Sequence, residues 1–151
     1  GFVNKFQGDA ALAIFGAPLE HPDASGAALA ASRELHDELL NVLGSDTEFG
    51  IGVSAGRAIA GHIGAQARFE YTVIGDPVNE AARLTELAKL EEGHVLASAA
   101  AVSGALDAEA LSWDVGEIVE LRGRTAPTQL ARPMNLASPS DIDEISSDIT
   151  G

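Results

Sequence analysis

The stretch Gln7-Gly8-Asp9-Ala10 places a carboxylate at what reads as the tip of a β-hairpin. A side chain there is held by two strands yet faces water, which suits a Mg²⁺ ligand. Gly-Asp is also good turn chemistry, so Asp9 alone decides nothing. Lys5, on the same hairpin, adds a cation and little more. The stretch from Tyr71 through Thr72, Gly75, Asp76, Pro77, Asn79 and Arg83 to Leu84 is more informative. Asp76-Pro77 reads as a helix start, an acidic cap followed by proline at the first helical position. Asn79 and Arg83 are four apart and so share one face of that helix near its N-terminus. Helix N-termini attract anions, and a guanidinium one turn in adds a planar fork for phosphate oxygens. The plainer alternative makes Arg83 a solvated residue bridged to Glu80 or Glu86. Ala81 and Ala82 favour instead a close packing partner beside this face.

Residues 1–6 and 10–15 are the apolar strands of the hairpin. A helix follows His21-Pro22, capped by Asp23, with Leu29, Leu35, Leu39, Leu40 and Leu43 at helical spacing and Gly44 as its stop. Residues 49–55 and 58–63 read as two strands around Gly56, and 69–74 as a third, rich in aromatic and β-branched residues. The helix opened at Pro77 runs to about Leu90, with Gly93 beyond it. Residues 95–97 form a strand, 99–106 hold a short helix, and 113–130 form a hairpin. Strands and helices mix without strict βαβ alternation, which favours α+β.

The chain has 151 residues, enough for one domain with a core. Asp and Glu number 23 against 9 Lys and Arg, a net charge of -14. That balance argues against nucleic acid and against an anionic membrane surface, since phosphate arrays need a basic face. There is no cysteine, which excludes disulfides and thiolate metal sites and fits a reducing, cytoplasmic setting. No apolar run approaches the roughly 20 residues of a membrane helix. The end of the chain, 138–151, carries four acids and no base, so residues 136–151 are expected to be a disordered tail after a domain at 1–135. Gly52-Val53-Ser54-Ala55-Gly56 spells a G-x-S-x-G nucleophile elbow, but a strand-to-strand setting and the lack of a third triad member weigh against it. His21, His36, His62 and His94 are scattered and read as ordinary surface or helix residues.

Taken together, Lys5 to Asp9 with Phe15-Gly16, the glycine-rich run through Gly50, Gly52, Gly56, Gly61, Gly64, Arg68 and Tyr71, and Gly75 to Leu84 resemble the class III adenylyl/guanylyl cyclase catalytic domain. The resemblance covers residues 1 to about 132, with spacing intact. Within the family it resembles the adenylyl type, in a mycobacterial-like subgroup with threonine at a base-reading position. It implies an α+β, ferredoxin-like sheet with helices packed on one face. It also implies conversion of ATP to 3′,5′-cyclic AMP and pyrophosphate, assisted by Mg²⁺ or Mn²⁺, at the interface of a homodimer.

Carried over by position, Asp9 resembles the second of two metal-binding aspartates. Asn79 resembles the residue that orients the ribose, and Arg83 the one that stabilises charge on the α-phosphate. Lys5 and Thr72 resemble the pair that reads the purine edge. A lysine with a hydroxyl that donates and accepts favours ATP over GTP. Arg122 or Arg124 matches the place where a basic residue holds the terminal phosphates. The family's first metal aspartate lies on a strand before the hairpin, which this sequence does not contain. The chain alone is therefore expected to be weakly active or inactive, as part of a longer polypeptide that a membrane anchor could tether. The rival reading is a non-catalytic cyclase-like module that dimerises or senses nucleotide.

Overall fold

The structure is a computed structural model that describes residues 1–63, 70–106 and 108–134. Gly64, Arg68, Phe69 and the acidic stretch 136–151 lie outside the described residues.

The chain opens with β1 (Phe2–Gln7) and β2 (Ala10–Ile14), an antiparallel hairpin closed at Gln7 opposite Ala10. Gly8, at φ 62°, supplies the left-handed backbone such a turn needs. Helix α1 (Ala24–Leu43) starts where the Asp23 carboxylate accepts from the Gly26 amide at 3.0 Å. It stops at Gly44, whose φ of 80° suits glycine and whose N–H donates to the Leu40 carbonyl. Then follow β3 (Ile51–Val53), β4 (Ile59–Ile63), β5 (Glu70–Ile74), α2 (Asp76–Ala88), β6 (Val95–Ser98), α3 (Ala99–Gly104), β7 (Trp113–Val119) and β8 (Thr128–Pro133). None of the described helices is long and apolar enough to cross a membrane.

The α+β class is as expected, but the hydrogen-bonded ladder is divided. Four strands form one sheet in the order β3-β6-β8-β7, while β1-β2 and β4-β5 are separate two-stranded ribbons. β3 pairs parallel with β6 rather than with β4, its neighbour in sequence. The remaining pairings are antiparallel. The helices also divide between two faces instead of sharing one. Side chains alternate across a strand, and Val95, Ala97 and Ala131 pack with Leu29 of α1 and with Ala101 and Val102 of α3. Their neighbours Leu96 and Leu130 pack on the opposite face with Leu84 and Ala88 of α2. Leu29, Leu84 and Leu96 are wholly buried, each worth about 1.5–3 kcal/mol against exposure.

Candidate active site

Helix α2 lies tight against β3, and glycine makes that approach possible. A Cβ on Gly52 would fall 2.5 Å from both the Ala81 carbonyl oxygen and the Thr85 nitrogen. One on Gly50 would fall 2.2 Å from the Thr85 carbonyl oxygen. These glycines therefore seat the helix; they do not form a nucleotide loop. With Leu84 turned into the core and Leu87 packed beside it, Asn79 is left exposed and Arg83 half-buried. Arg83 Nη1 donates to Glu86 Oε2 at 3.0 Å, the surface pairing of the plainer alternative. Neither Asn79 nor Arg83 is in the wall of the cavity beside the start of α2.

The helix begins differently from its sequence expectation. Gly75 is the cap residue, and no side chain caps the first turn. The Asp76 carboxylate is instead gripped by Arg124, whose Nε and Nη2 donate to it at 2.9 and 2.6 Å. That fork holds Asp76 below the ordinary carboxylate range. Arg124 Nη1 reaches the buried Glu80 carboxylate at 2.6 Å and also donates to the Thr128 hydroxyl. Thr128 in turn donates to Glu80 Oε2 at 2.7 Å, and Ser54 Oγ donates to Glu80 Oε1. Beside this network is a cavity of about 300 Å³, with Gly56, Arg57, Asp76, Glu80 and Arg124 in its wall.

Ser54 is thus a structural donor. It is followed by a bend and then β4, not by a helix, so no nucleophile elbow exists. His62 rests its ring against Tyr71 and His94 against Phe49.

The two ribbons carry the other expected site residues. Asn4 Nδ2 donates to the Tyr71 carbonyl at 2.8 Å, and the Phe2 and Tyr71 rings lie 5.9 Å apart. Lys5 and Thr72 follow Asn4 and Tyr71 on β1 and β5, strands of separate ribbons that this bond ties together. Lys5 is exposed, while Thr72 is half-buried opposite Gly61. Asp9 is exposed at the hairpin tip. Among the described residues no three His, Asp or Glu side chains are grouped to hold a metal ion. Asp9 can offer one oxygen ligand, which falls short of the set Mg²⁺ demands.

Arg122 and Arg124 have separate fates. Arg122 is exposed at the β7–β8 turn, whereas the Arg124 guanidinium is engaged by Asp76 and Glu80. Sequence reading missed the pairing of Asp76 and Glu80 with Arg124. The available signal was the four-residue spacing of the two acids, which stacks them on one helix face.

The chain matches the model of the adenylate and guanylate cyclase catalytic domain over residues 5–131. Rv1318c, an uncharacterized protein of Mycobacterium tuberculosis (strain ATCC 25618 / H37Rv), is 54% identical over 139 residues, covering 92% of this chain and 26% of that protein. Mb1354c, an uncharacterized protein of Mycobacterium bovis, is 51% identical over 148 residues, covering 96% and 26%. The chain thus spans about a quarter of the length of the curated relatives it matches. A bacterial light-regulated adenylyl cyclase shares the fold with a TM-score of 0.72 at 22% identity, over 97% of this chain and 42% of that one. The guanylyl cyclase Cya2 does so at 0.64 and 25%, over 91% and 75%. With the family model covering most of its length, the chain belongs to the adenylate and guanylate cyclase catalytic domain family.

Proposed function

We propose that this chain is the catalytic portion of an adenylyl cyclase that works as a homodimer. The observation that supports the reading is the hydrogen bond from Asn4 to the Tyr71 carbonyl, which ties the ribbon carrying Lys5 to the ribbon carrying Thr72. A lysine donor with a hydroxyl that donates or accepts is compatible with the edge of adenine. Solved structures of adenylyl and guanylyl cyclases both share the fold, so the choice of base rests on Lys5 and Thr72 rather than on the likeness.

In this reading Asn79 orients the ribose and Arg83 meets charge growing on the α-phosphate. The ribose 3′-oxygen forms a bond to the α-phosphorus as the bond to the bridging oxygen breaks. Pyrophosphate leaves, and the 3′-hydroxyl proton passes to water. Positioning and charge stabilisation carry the step, with no covalent intermediate on the protein. Arg122, exposed at its turn, takes the terminal phosphates. Arg124 is already committed to two carboxylates. Asp9 would hold a divalent metal, Mg²⁺ or Mn²⁺, through one carboxylate, and the metal would supply charge stabilisation at the phosphates. Asn79 and Arg83 face outward from the single chain, which suits a site completed by a second copy.

The test is turnover of ATP against GTP by the complete protein. ATP should be the better substrate, and preference for GTP would overturn the role given to Lys5 and Thr72. A non-catalytic, nucleotide-sensing module is the second reading, favoured by Asp9 being the only metal carboxylate the first one assigns. It predicts nucleotide binding by the complete protein without cyclic AMP.

A further inference from the structure

We propose that Arg124 is a positioning residue that fixes the aim of Arg83 and Asn79 relative to Arg122. The proposal rests on the cyclase reading for what Arg83 does. It concerns how the chain holds that group still.

Arg122 and Arg124 flank Gly123, whose φ of 83° lets the β7–β8 connection turn sharply. Arg122 is left in solvent. The Arg124 side chain is only 8% exposed, and its guanidinium spans two turns of α2. One side of the fork takes both oxygens of Asp76, and Nη1 takes Glu80, one helical turn further along. Glu80 is anchored again from β8 through Thr128 and from the end of β3 through Ser54. The catalytic face, Asn79 and Arg83, shares these same two turns of helix.

Apolar contacts already hold α2 on the sheet, through Leu84 and Ala88 against Leu96 and Leu130. Such contacts are non-directional and leave a helix some freedom to roll or slide. The charged fork removes that freedom, because rolling α2 to re-aim Arg83 would draw both carboxylates off one rigid, planar group. Buried ion pairs add little net stability, and fixing geometry is their better-attested use. Lysine presents a single ammonium on a flexible stem and cannot reproduce a bidentate grip on Asp76 while reaching Glu80.

The experiment is a double-variant cycle in the complete protein, assayed with ATP and Mn²⁺ beside thermal unfolding. Arg124→Lys should lower kcat roughly 10- to 100-fold with KM for ATP little changed, the scale of a small misplacement of a catalytic group. In an Arg83→Ala background the same substitution should lower kcat little further, since no guanidinium remains to be aimed. A merely structural Arg124 would cut the active fraction by an equal factor in both backgrounds, and that result overturns the positioning role alone. Wild-type turnover by Arg83→Ala overturns the role of Arg83 and this proposal with it. If Arg124→Lys does not fold, Asp76→Asn loosens the same fork from its exposed end and is judged by the same criterion.

Discussion

The four-stranded sheet with its helices buries more of its apolar residues than the two ribbons do, although Ile118 of β7 is exposed and Val73 of β5 is buried. All four residues of β6 are buried, and Trp113 of β7 is 5% exposed. On the ribbons, Val3 is 53% exposed, Phe6 77%, Ile59 74% and Ile74 54%. A lone two-stranded ribbon is marginal in water, and exposed apolar side chains close together mark a surface meant to be covered. The residues proposed to meet the α-phosphate ride on α2, which is locked to the packed unit. The residues proposed to read the base and bind metal ride on the ribbons. On that proposal, charge stabilisation sits on the well-packed element and recognition on the less covered ones.

The largest effect that would break this division is in the packed unit. Trp113 packs with Leu29, Val95 and Ala131, and its Nε1 donates to Glu109 at 3.0 Å. Trp113→Ala should cost about 3–5 kcal/mol of folding stability. Phe6→Ala should cost under about 0.5 kcal/mol in the monomer. Denaturant unfolding of both variants measures the contrast, and equal losses would mean the ribbons are as well packed as the sheet.

Next in size is Arg83→Ala, which should leave unfolding unchanged while raising the barrier to turnover by about 2.7–4 kcal/mol. In the complete protein that is roughly 10²–10³ in rate. An Arg83→Ala enzyme that turned over normally would sever α2 from the chemistry.

A smaller effect belongs to the ribbons. If the proposed dimer covers Phe6, Phe6→Ser should weaken self-association by about 1.5–3 kcal/mol per buried ring, with little effect on the monomer. Sedimentation over a concentration series reads the dissociation constant, at roughly tenfold per 1.4 kcal/mol. An unchanged constant would show that a different surface is covered.

Local features of the fold were legible in sequence because local chemistry decides them. Asp23 and Gly44 mark the ends of α1, and Gly8 marks the hairpin turn, each through its own backbone. Pairing over distance was not legible. Residues 51–53 and 59–63 both read as apolar strands, and nothing in them says that β3 joins Val95–Ser98 instead of β4. Gly50 and Gly52 were legible only as part of a glycine-rich run, and their reason is the backbone of α2 across the gap. Asp76 had every mark of a cap, but an arginine 48 residues away takes it. The sequence Arg-Gly-Arg offers no way to tell Arg122 from Arg124; only the acids waiting on α2 separate them. At the site, Asn79 and Arg83 were readable from residue type and spacing, whereas Lys5 and Asp9 became candidates only through the family resemblance. The network that holds α2 was not readable, because it is assembled from three distant segments.

The smallest effect expected comes from acid, and it too separates the regions. Among the described residues the ion pairs involve helices, turns and strands of the packed unit, and none involves a ribbon. Arg132 of β8 holds Glu117 at 2.8 Å and Glu91 at 2.9 Å. Its hydrogen bonds lower Glu117 from an ordinary 4.5 to about 2 and bring Glu91 down as well. Burial by itself would raise Glu109, but bonds from Arg33 and Trp113 outweigh it and leave that carboxyl lowered too. A carboxyl with a depressed folded pKa binds its proton more readily in the unfolded chain. Its contribution is therefore complete above about pH 4.5 and fades as pH falls toward about 2. Glu117 is fully exposed, so solvent screening keeps its share small. The denaturation midpoint should stay level from neutral pH to about 4.5 and then decline. Arg132→Leu should lower the plateau slightly and flatten the decline, because Glu91 and Glu117 would lose the largest cause of their lowering in the folded state. A decline equally steep in Arg132→Leu would move the acid-sensitive contacts away from β7 and β8, and the ribbons would then have to be examined as its source.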